Sequence, residues 1–249
     1  MCTVSFLRLK QGYSLMMNRD EQPSRAKPEQ IRQANVEGSE GGTRKVIYPV
    51  DPSSGGTWVG ANGQGVALAL MNQYPEGYKR PEKTETRGRL IPEGLRAGTA
   101  IHALERVAAL DLGLTPPFIL IGVDEESAPL SLRWDGAKLE RRLYPDGALE
   151  LSSSGYKPGE VLPLREGQFD VMLKGIEGQG EAEVLAAQEA YHFSQEPEPG
   201  PLAVWMTRPD SRTVSFTHAL VLPEKIFLRY LDRDAHEAGE AAVALQLKR

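Results

Sequence analysis

Residues 1–21 read MCTVSFLRLKQGYSLMMNRDE, and the fold turns on how this segment is paired. Thr3-Val4-Ser5-Phe6-Leu7-Arg8-Leu9 alternates polar and apolar side chains with the two-residue period of a strand. Gln11-Gly12 supplies a turn, and Tyr13–Met17 reads as the returning strand. An antiparallel hairpin of this length brings the end of its second strand back to the start of its first. The tetrapeptide Asn18-Arg19-Asp20-Glu21 is therefore expected beside residue 2.

Cys2 is the only cysteine among 249 residues. Removal of Met1 would make it the first residue, and a small second side chain favours that removal. A terminal cysteine carries a nucleophilic thiolate. Its own α-amine, with an ordinary pKa of about 7.7–8.0, can take and return a proton near neutral pH. Such a nucleophile needs no histidine partner. The plain structural alternative is a small residue at a strand start. A neighbouring Arg19 would favour the thiolate, and Asp20 would orient the ammonium. Consecutive strand residues point to opposite faces, so Arg19 and Asp20 are not both expected to face Cys2.

Outward from the hairpin, residues 19–45 read as a polar loop with a short helix near Glu29–Ala34, followed by a strand at Val46–Val50. Gly55–Asn72 reads as a second hairpin turning at Asn62-Gly63, and its second strand is apolar on both faces, as in a covered central strand. Asn72 closes that strand, either as a turn cap or as an amide donor to a developing oxyanion. A polar loop over 73–89 precedes an amphipathic helix over Leu90–Leu112, broken or capped near Gly98. A buried strand is expected at Phe118–Val123, and a hairpin across Asp135-Gly136 joins Leu130–Trp134 to Lys138–Leu143. Helical patterns cover Leu164–Ile176 and Glu181–Tyr191. Strands are expected at Leu202–Met206, Thr213–Leu222, Ile226–Leu231 and Ala241–Leu247. Trp134 and Trp205 fall inside strand patterns as core residues. Hairpins at both ends with helices between them point to a largely antiparallel α+β chain of one domain.

The composition narrows the function. A net charge of −5 with acidic residues spread along the chain argues against a nucleic-acid binder. A single cysteine excludes an intrachain disulfide framework and a multi-thiolate zinc site, and the four histidines are widely separated. Arg8 and Lys10 interrupt the first apolar run, so no signal peptide is read. No stretch has the length of a membrane span, and the expected location is the cytoplasm.

The initial Met-Cys, Asn18-Arg19-Asp20-Glu21 with Ser24-Arg25, and Gly55-Gly56-Thr57-Trp58-Val59-Gly60 together resemble the NRDE family, the transport and Golgi organisation family. Further echoes are Arg87-Gly88-Arg89-Leu90, Phe118–Val123, Leu151-Ser152-Ser153-Ser154 and Ser211-Arg212-Thr213-Val214-Ser215. That family is similar to N-terminal nucleophile hydrolases of the choloylglycine hydrolase and penicillin acylase type. The resemblance implies a four-layer αββα sandwich of antiparallel sheets. It implies Cys2 as nucleophile and base, Arg19 and Asp20 as its charged partners, and Asn72 as an oxyanion donor. Asn18, Trp58, Ser153 and Arg212 are the candidate substrate contacts, Trp58 having a packing role as its plainer reading. The sequence departs from the hydrolases in two ways. Arg19 and Asp20 are adjacent rather than spaced by two residues, and Ser152-Ser153-Ser154 stands where a second asparagine is expected. The implied activity is cleavage of an amide or thioester in a small molecule. The alternative is a binding or trafficking protein holding a hydrophobic ligand such as haem or acyl-CoA. No resident cofactor is expected.

Overall fold

The computed structural model describes residues 1–28 and 31–249. Strands β1 (Cys2–Arg8) and β2 (Tyr13–Glu21) form the expected first hairpin. Next come β3 (Ile31–Glu37), β4 (Thr43–Pro49), β5 (Val59–Asn62) and β6 (Ala67–Asn72). Helices α1 (Leu90–Gly94) and α2 (Ala100–Ala108) precede strands β7 (Phe118–Val123), β8 (Leu130–Trp134), β9 (Leu139–Leu143) and β10 (Ala148–Ser153). Two longer helices follow, α3 (Pro158–Gly175) and α4 (Glu181–His192). The chain closes with β11 (Arg212–Val221), β12 (Lys225–Asp232), α5 (Arg233–Glu237) and β13 (Val243–Lys248).

The strands form two antiparallel sheets. One runs β10-β1-β2-β11-β12-β13 and the other β3-β4-β5-β6-β7-β8-β9. They pack face to face over Val4, Phe6, Leu15 and Met17 from the first sheet and Ala61, Ala69, Met71 and Ile121 from the second. Helices α1 and α2 cover the outer face of the seven-stranded sheet through Leu90, Leu95, Leu104 and Val107. Helices α3 and α4 cover the six-stranded sheet. The result is the αββα sandwich.

Because β1 and β2 are covered on both sides, their polar positions are sealed rather than solvated. Ser5 Oγ lies 2.7 Å from His192 Nε2 and accepts from Gln188 Nε2 at 2.8 Å. His192 Nδ1 lies 3.0 Å from Asn18 Oδ1. These hydrogen bonds offset the desolvation of polar groups that a half-exposed strand would leave in water.

Three expectations are corrected. The segment read as a loop with a helix near Glu29–Ala34 is strand from Ile31, with Glu29 and Gln30 outside the described residues. β3 is an edge strand with mostly exposed side chains, so its sequence lacks the apolar period that marks a covered strand. The helix over Leu90–Leu112 is broken around Gly98 as expected, but its two pieces are short and end at Ala108; Thr99 caps the second by accepting from His102 N. Leu202–Met206 is an irregular buried segment rather than a strand. Its carbonyls are taken by side chains instead of a ladder. Arg165 donates to Leu202 O and Ala203 O, Asn18 to Val204 O, and Arg233 to Met206 O.

The His192 ring is fully buried, and burial depresses its pKa from 6.5 to about 3. The unfolded chain therefore binds a proton between these values that the folded chain refuses, so stability falls as pH drops through this window. We expect this histidine to cost about 3 kcal/mol of stability between pH 7 and pH 4. Urea unfolding of wild type and His192→Gln at both pH values checks this: the stability advantage of wild type should shrink by that amount at pH 4.

Candidate active site

The register of three strands builds the site. Cys2 pairs with Arg19 of β2 on one side and with Ser153 of β10 on the other. Directly opposed residues share a sheet face, so the thiol, the guanidinium and the Ser153 hydroxyl face the seven-stranded sheet. There they meet a cleft of about 510 Å³ whose lining includes Cys2, Arg19, Asp20, Asp51, Trp58 and Asn72.

Arg19 is fixed from two directions. Its guanidinium stacks over the Trp58 ring at 4.1 Å from the centroid, and Nη2 donates to Asp51 Oδ2 at 3.1 Å. Asp51 Oδ2 also accepts from Arg25 Nη2 at 2.5 Å, while Oδ1 accepts the Ser53 N–H. Burial works against the Asp51 charge, but the Arg25 hydrogen bond, the Ser53 N–H and Arg19 together hold its carboxyl below the usual range. The loop bearing Asp51 is closed by Asp51 N to Gly56 O and Gly55 N to Asp51 O, both 2.8 Å. Gly55 adopts φ +67°, which favours glycine.

Asp20 takes the other face. Its Oδ1 accepts from Thr213 Oγ1 at 2.6 Å, and Oδ2 lies 3.9 Å from Nη1 of Arg165, a fully buried residue of α3. Oδ2 makes no hydrogen bond among the described residues. Burial raises the Asp20 pKa, and Arg165, the terminal ammonium and Thr213 partly oppose that rise. Strand alternation thus separates Arg19 from Asp20. Asp20 still reaches the chain end, because its N–H donates to Met1 O at 3.2 Å just beyond the start of β1.

Met1 lies in a small apolar pocket with Val161 and Met206, bordered by Tyr156 and Leu202. Its sulfur accepts from Arg165 Nη2 at 3.3 Å, and its ammonium donates to Tyr74 Oη at 2.9 Å. Burial opposes that charge, but Cys2, Asp20 and Tyr74 hold the amine up to about 10. The Cys2 thiol is pushed above its ordinary value by burial; the terminal ammonium pulls it down, the Asp20 carboxylate raises it, and the Asp20 N–H and Arg19 lower it. With Met1 attached, the thiol is kept neutral and its own nitrogen is an amide with no basic lone pair.

Asn72 lines the cleft at the end of β6, with Nδ2 3.4 Å from Tyr74 Oη. The Ser153 hydroxyl is buried beside Cys2 without a hydrogen-bond partner among the described residues. Two candidates lie elsewhere. The Asn18 amide donates to His192 O and Val204 O on the helix-covered face. Arg212 pairs with Asp234 at 2.5 Å and lines a small neighbouring hollow that shares Arg19 and Arg25 with the cleft. Sequence reading missed Asp51, Arg165 and Arg80, and noted Arg25 and Arg87 only within family motifs, without a place in the site. The usable signals were the glycines flanking this region. A Cβ on Gly56 would meet Gly88 Cα at 2.5 Å, so Gly55-Gly56 and Arg87-Gly88 are motifs that touch.

The sequence profile of the family described as Transport and Golgi organisation 2 matches residues 1–181. The chain belongs to this family. No curated protein sequence matches it significantly. In fold, this Transport and Golgi organisation 2 family member is similar to a conjugated bile acid hydrolase variant from Clostridium perfringens, with a TM-score of 0.59 at 12% identity over 100% of this chain and 97% of that one. It is also similar to penicillin V acylase from Agrobacterium tumefaciens (0.58, 11% identity, 94% of this chain and 86% of that one). The N-acylethanolamine-hydrolyzing acid amidase ortholog of Caenorhabditis elegans gives 0.54 at 14% identity over 87% and 92%. These likenesses establish the N-terminal nucleophile hydrolase fold for this family member.

Asp51→Ala would leave Arg19 buried against Trp58 without its counter-charge. We expect a loss of about 3 kcal/mol, the cost of breaking a buried pair from one side, read as a lower midpoint in urea unfolding.

Proposed function

We propose that this chain is an N-terminal cysteine hydrolase acting on an amide or thioester of a small molecule once Met1 has been removed. The observation that carries the reading is the register that sets the Cys2 thiol between Arg19 and Ser153 against a cleft, with Asp20 at the chain end.

Removing Met1 frees the Cys2 nitrogen as an amine with an ordinary pKa of about 7.7–8.0. That amine takes the thiol proton, and Asp20 orients the resulting ammonium. Sγ then attacks the substrate carbonyl carbon to give a tetrahedral oxyanion, toward which Asn72 Nδ2 and Ser153 Oγ are the available donors. Collapse breaks the C–N or C–S bond as the ammonium returns its proton to the leaving group. Water, deprotonated by the same amine, hydrolyses the acyl-Cys2 intermediate and restores the thiol. Loss of Met1 also empties the apolar pocket beside Arg165.

The carrier reading, with haem or acyl-CoA in the same cleft, has less support. The cleft walls are dominated by charged and polar side chains, with Trp58, Leu70 and Pro116 as the main apolar surfaces. No helix among the described residues is long and apolar enough to cross a membrane. The proposal places the activity in the cytoplasm, where a lone thiol stays reduced.

Intact mass and iodoacetamide labelling at neutral pH test the first step. Protein lacking Met1 should alkylate at Cys2 at least tenfold faster than protein retaining it, reflecting a lowered thiol pKa. A panel of amides and acyl thioesters should then show turnover and an acyl adduct on Cys2, both abolished by Cys2→Ala. Equal labelling of the two forms, with no adduct from any member of the panel, would overturn the reading.

A further inference from the structure

Four arginines and four carboxylates line the cleft, but two of those carboxylates, Asp20 and Glu85, are engaged by arginines outside the lining. Of the acids around it, Asp51 is shared by Arg19 and Arg25, Asp20 faces Arg165, and Glu85 pairs with Arg89 at 2.5 Å. Arg80 and Arg87 also line the cleft, and both hydrogen-bond to neutral groups. Arg80 Nη2 donates to Thr84 Oγ1 at 3.1 Å, and Arg87 Nη1 to Pro117 O at 2.9 Å. Neither forms an ion pair with a carboxylate among the described residues. Glu21, the remaining acid at the rim, accepts the Gln22 N–H.

Arg87 is held there by construction. It opens a 3₁₀ turn, Arg87–Arg89, in which Gly88 lies against the backbone of Gly56, and Thr57 N donates to Gly88 O at 3.2 Å. The contact ties Arg87 to the segment that carries Trp58. Burial and the nearby charge of Arg80 both lower the Arg87 pKa, while Cys2, Tyr74 and Glu21 raise it. The guanidinium is thus within electrostatic reach of both the second arginine and the nucleophile. Arg87 is half-buried and Arg80 is exposed at the rim; a partly desolvated cation with no paired acid is costly unless an anion arrives. A guanidinium with free N–H groups suits the planar or tetrahedral face of an oxyanion.

We infer that Arg80 and Arg87 form an oxyanion-binding site, so that the cleft selects small polar molecules carrying a carboxylate or phosphate beside the bond presented to Cys2. The position of that bond rests on the hydrolase reading; the anion site does not.

The test uses the full chain with Cys2→Ala, which binds but has no nucleophile. Calorimetric titrations compare succinamate, its neutral counterpart succinamide, and inorganic phosphate, at low and at physiological salt. Succinamate should bind about tenfold tighter than succinamide, as charged hydrogen bonds predict, and more weakly as salt rises. Arg80→Gln and Arg87→Gln should each reduce that preference and together remove it. Arg87→Lys should keep part of it, and unchanged thermal melting of the variants would show that the fold is retained. Phosphate that displaces succinamate marks a general oxyanion site, whereas phosphate that fails to do so marks a carboxylate site; each supports the inference. Equal binding of succinamate and succinamide, or no anion binding at all, overturns it. Turnover of neutral amides by the unmodified enzyme, without any anion preference, would leave the hydrolase reading standing and sink this one.

Discussion

The placement of β1 between β2 and β10 governs everything in the cleft. A strand hydrogen-bonded on both edges and covered on both faces has no freedom to slip, because a one-residue shift would exchange Val4 and Phe6 for Thr3 and Ser5 in the inter-sheet core. The same register puts Cys2, rather than Thr3, at the cleft. It also divides a pair of adjacent opposite charges. Arg19 enters the space between the sheets, and Asp20 enters the layer under α3. Both act at the chain end because β1 begins there, and the Asp20 N–H extends the ladder by one bond to Met1 O.

Access separates chemistry from scaffolding in this molecule. Ser5, His192 and Asn18 form a serine–histidine–amide chain with distances of 2.7 and 3.0 Å, good enough for a nucleophile and its base. All three are fully buried, and His192 stays neutral to about pH 3, so the chain holds the helix layer onto the sheet. The polar cleft on the opposite side of the same sheet carries the unpaired groups. The unpartnered Ser153 hydroxyl lies beside it and the two arginines without acids line it, while the free Asp20 oxygen lies across the sheet beside Arg165. Buried polar atoms without partners are expensive, and the Ser153 hydroxyl beside Cys2 is one of them.

Met1 ties the electrostatics to the packing. Its side chain fills an apolar pocket, its sulfur faces Arg165 and its ammonium meets Tyr74. The residue that keeps Cys2 acylated on nitrogen therefore also occupies space next to the Cys2 thiol. Arg165 joins the two roles. It reaches Thr3 Oγ1, the Leu202 and Ala203 carbonyls, and the neighbourhood of the Asp20 carboxylate, all from one buried position on α3.

Local pattern determined much of this protein. The alternation of residues 3–17 specified the first hairpin, the doubly apolar run 66–71 specified a central strand, and the lone Cys2 with Arg19 and Asp20 marked the candidate site. Those signals are readable because side-chain period and turn residues act over a few neighbours. Tertiary structure decided the rest. β3 and the buried Leu202–Met206 segment were misread: one is an edge strand that shows little apolar pattern, and the other satisfies its carbonyls through distant side chains. Asn18 matches the family's motif yet lies on the helix-covered face, and Arg212, opposite Glu21 at the strand end, is drawn to Asp234. Asp51, Arg165, Arg80 and Arg87 reach the site across 32 to 162 residues of chain or through glycine contacts between loops. No local period encodes such meetings, because charge pairing and close backbone approach depend on distance in space alone.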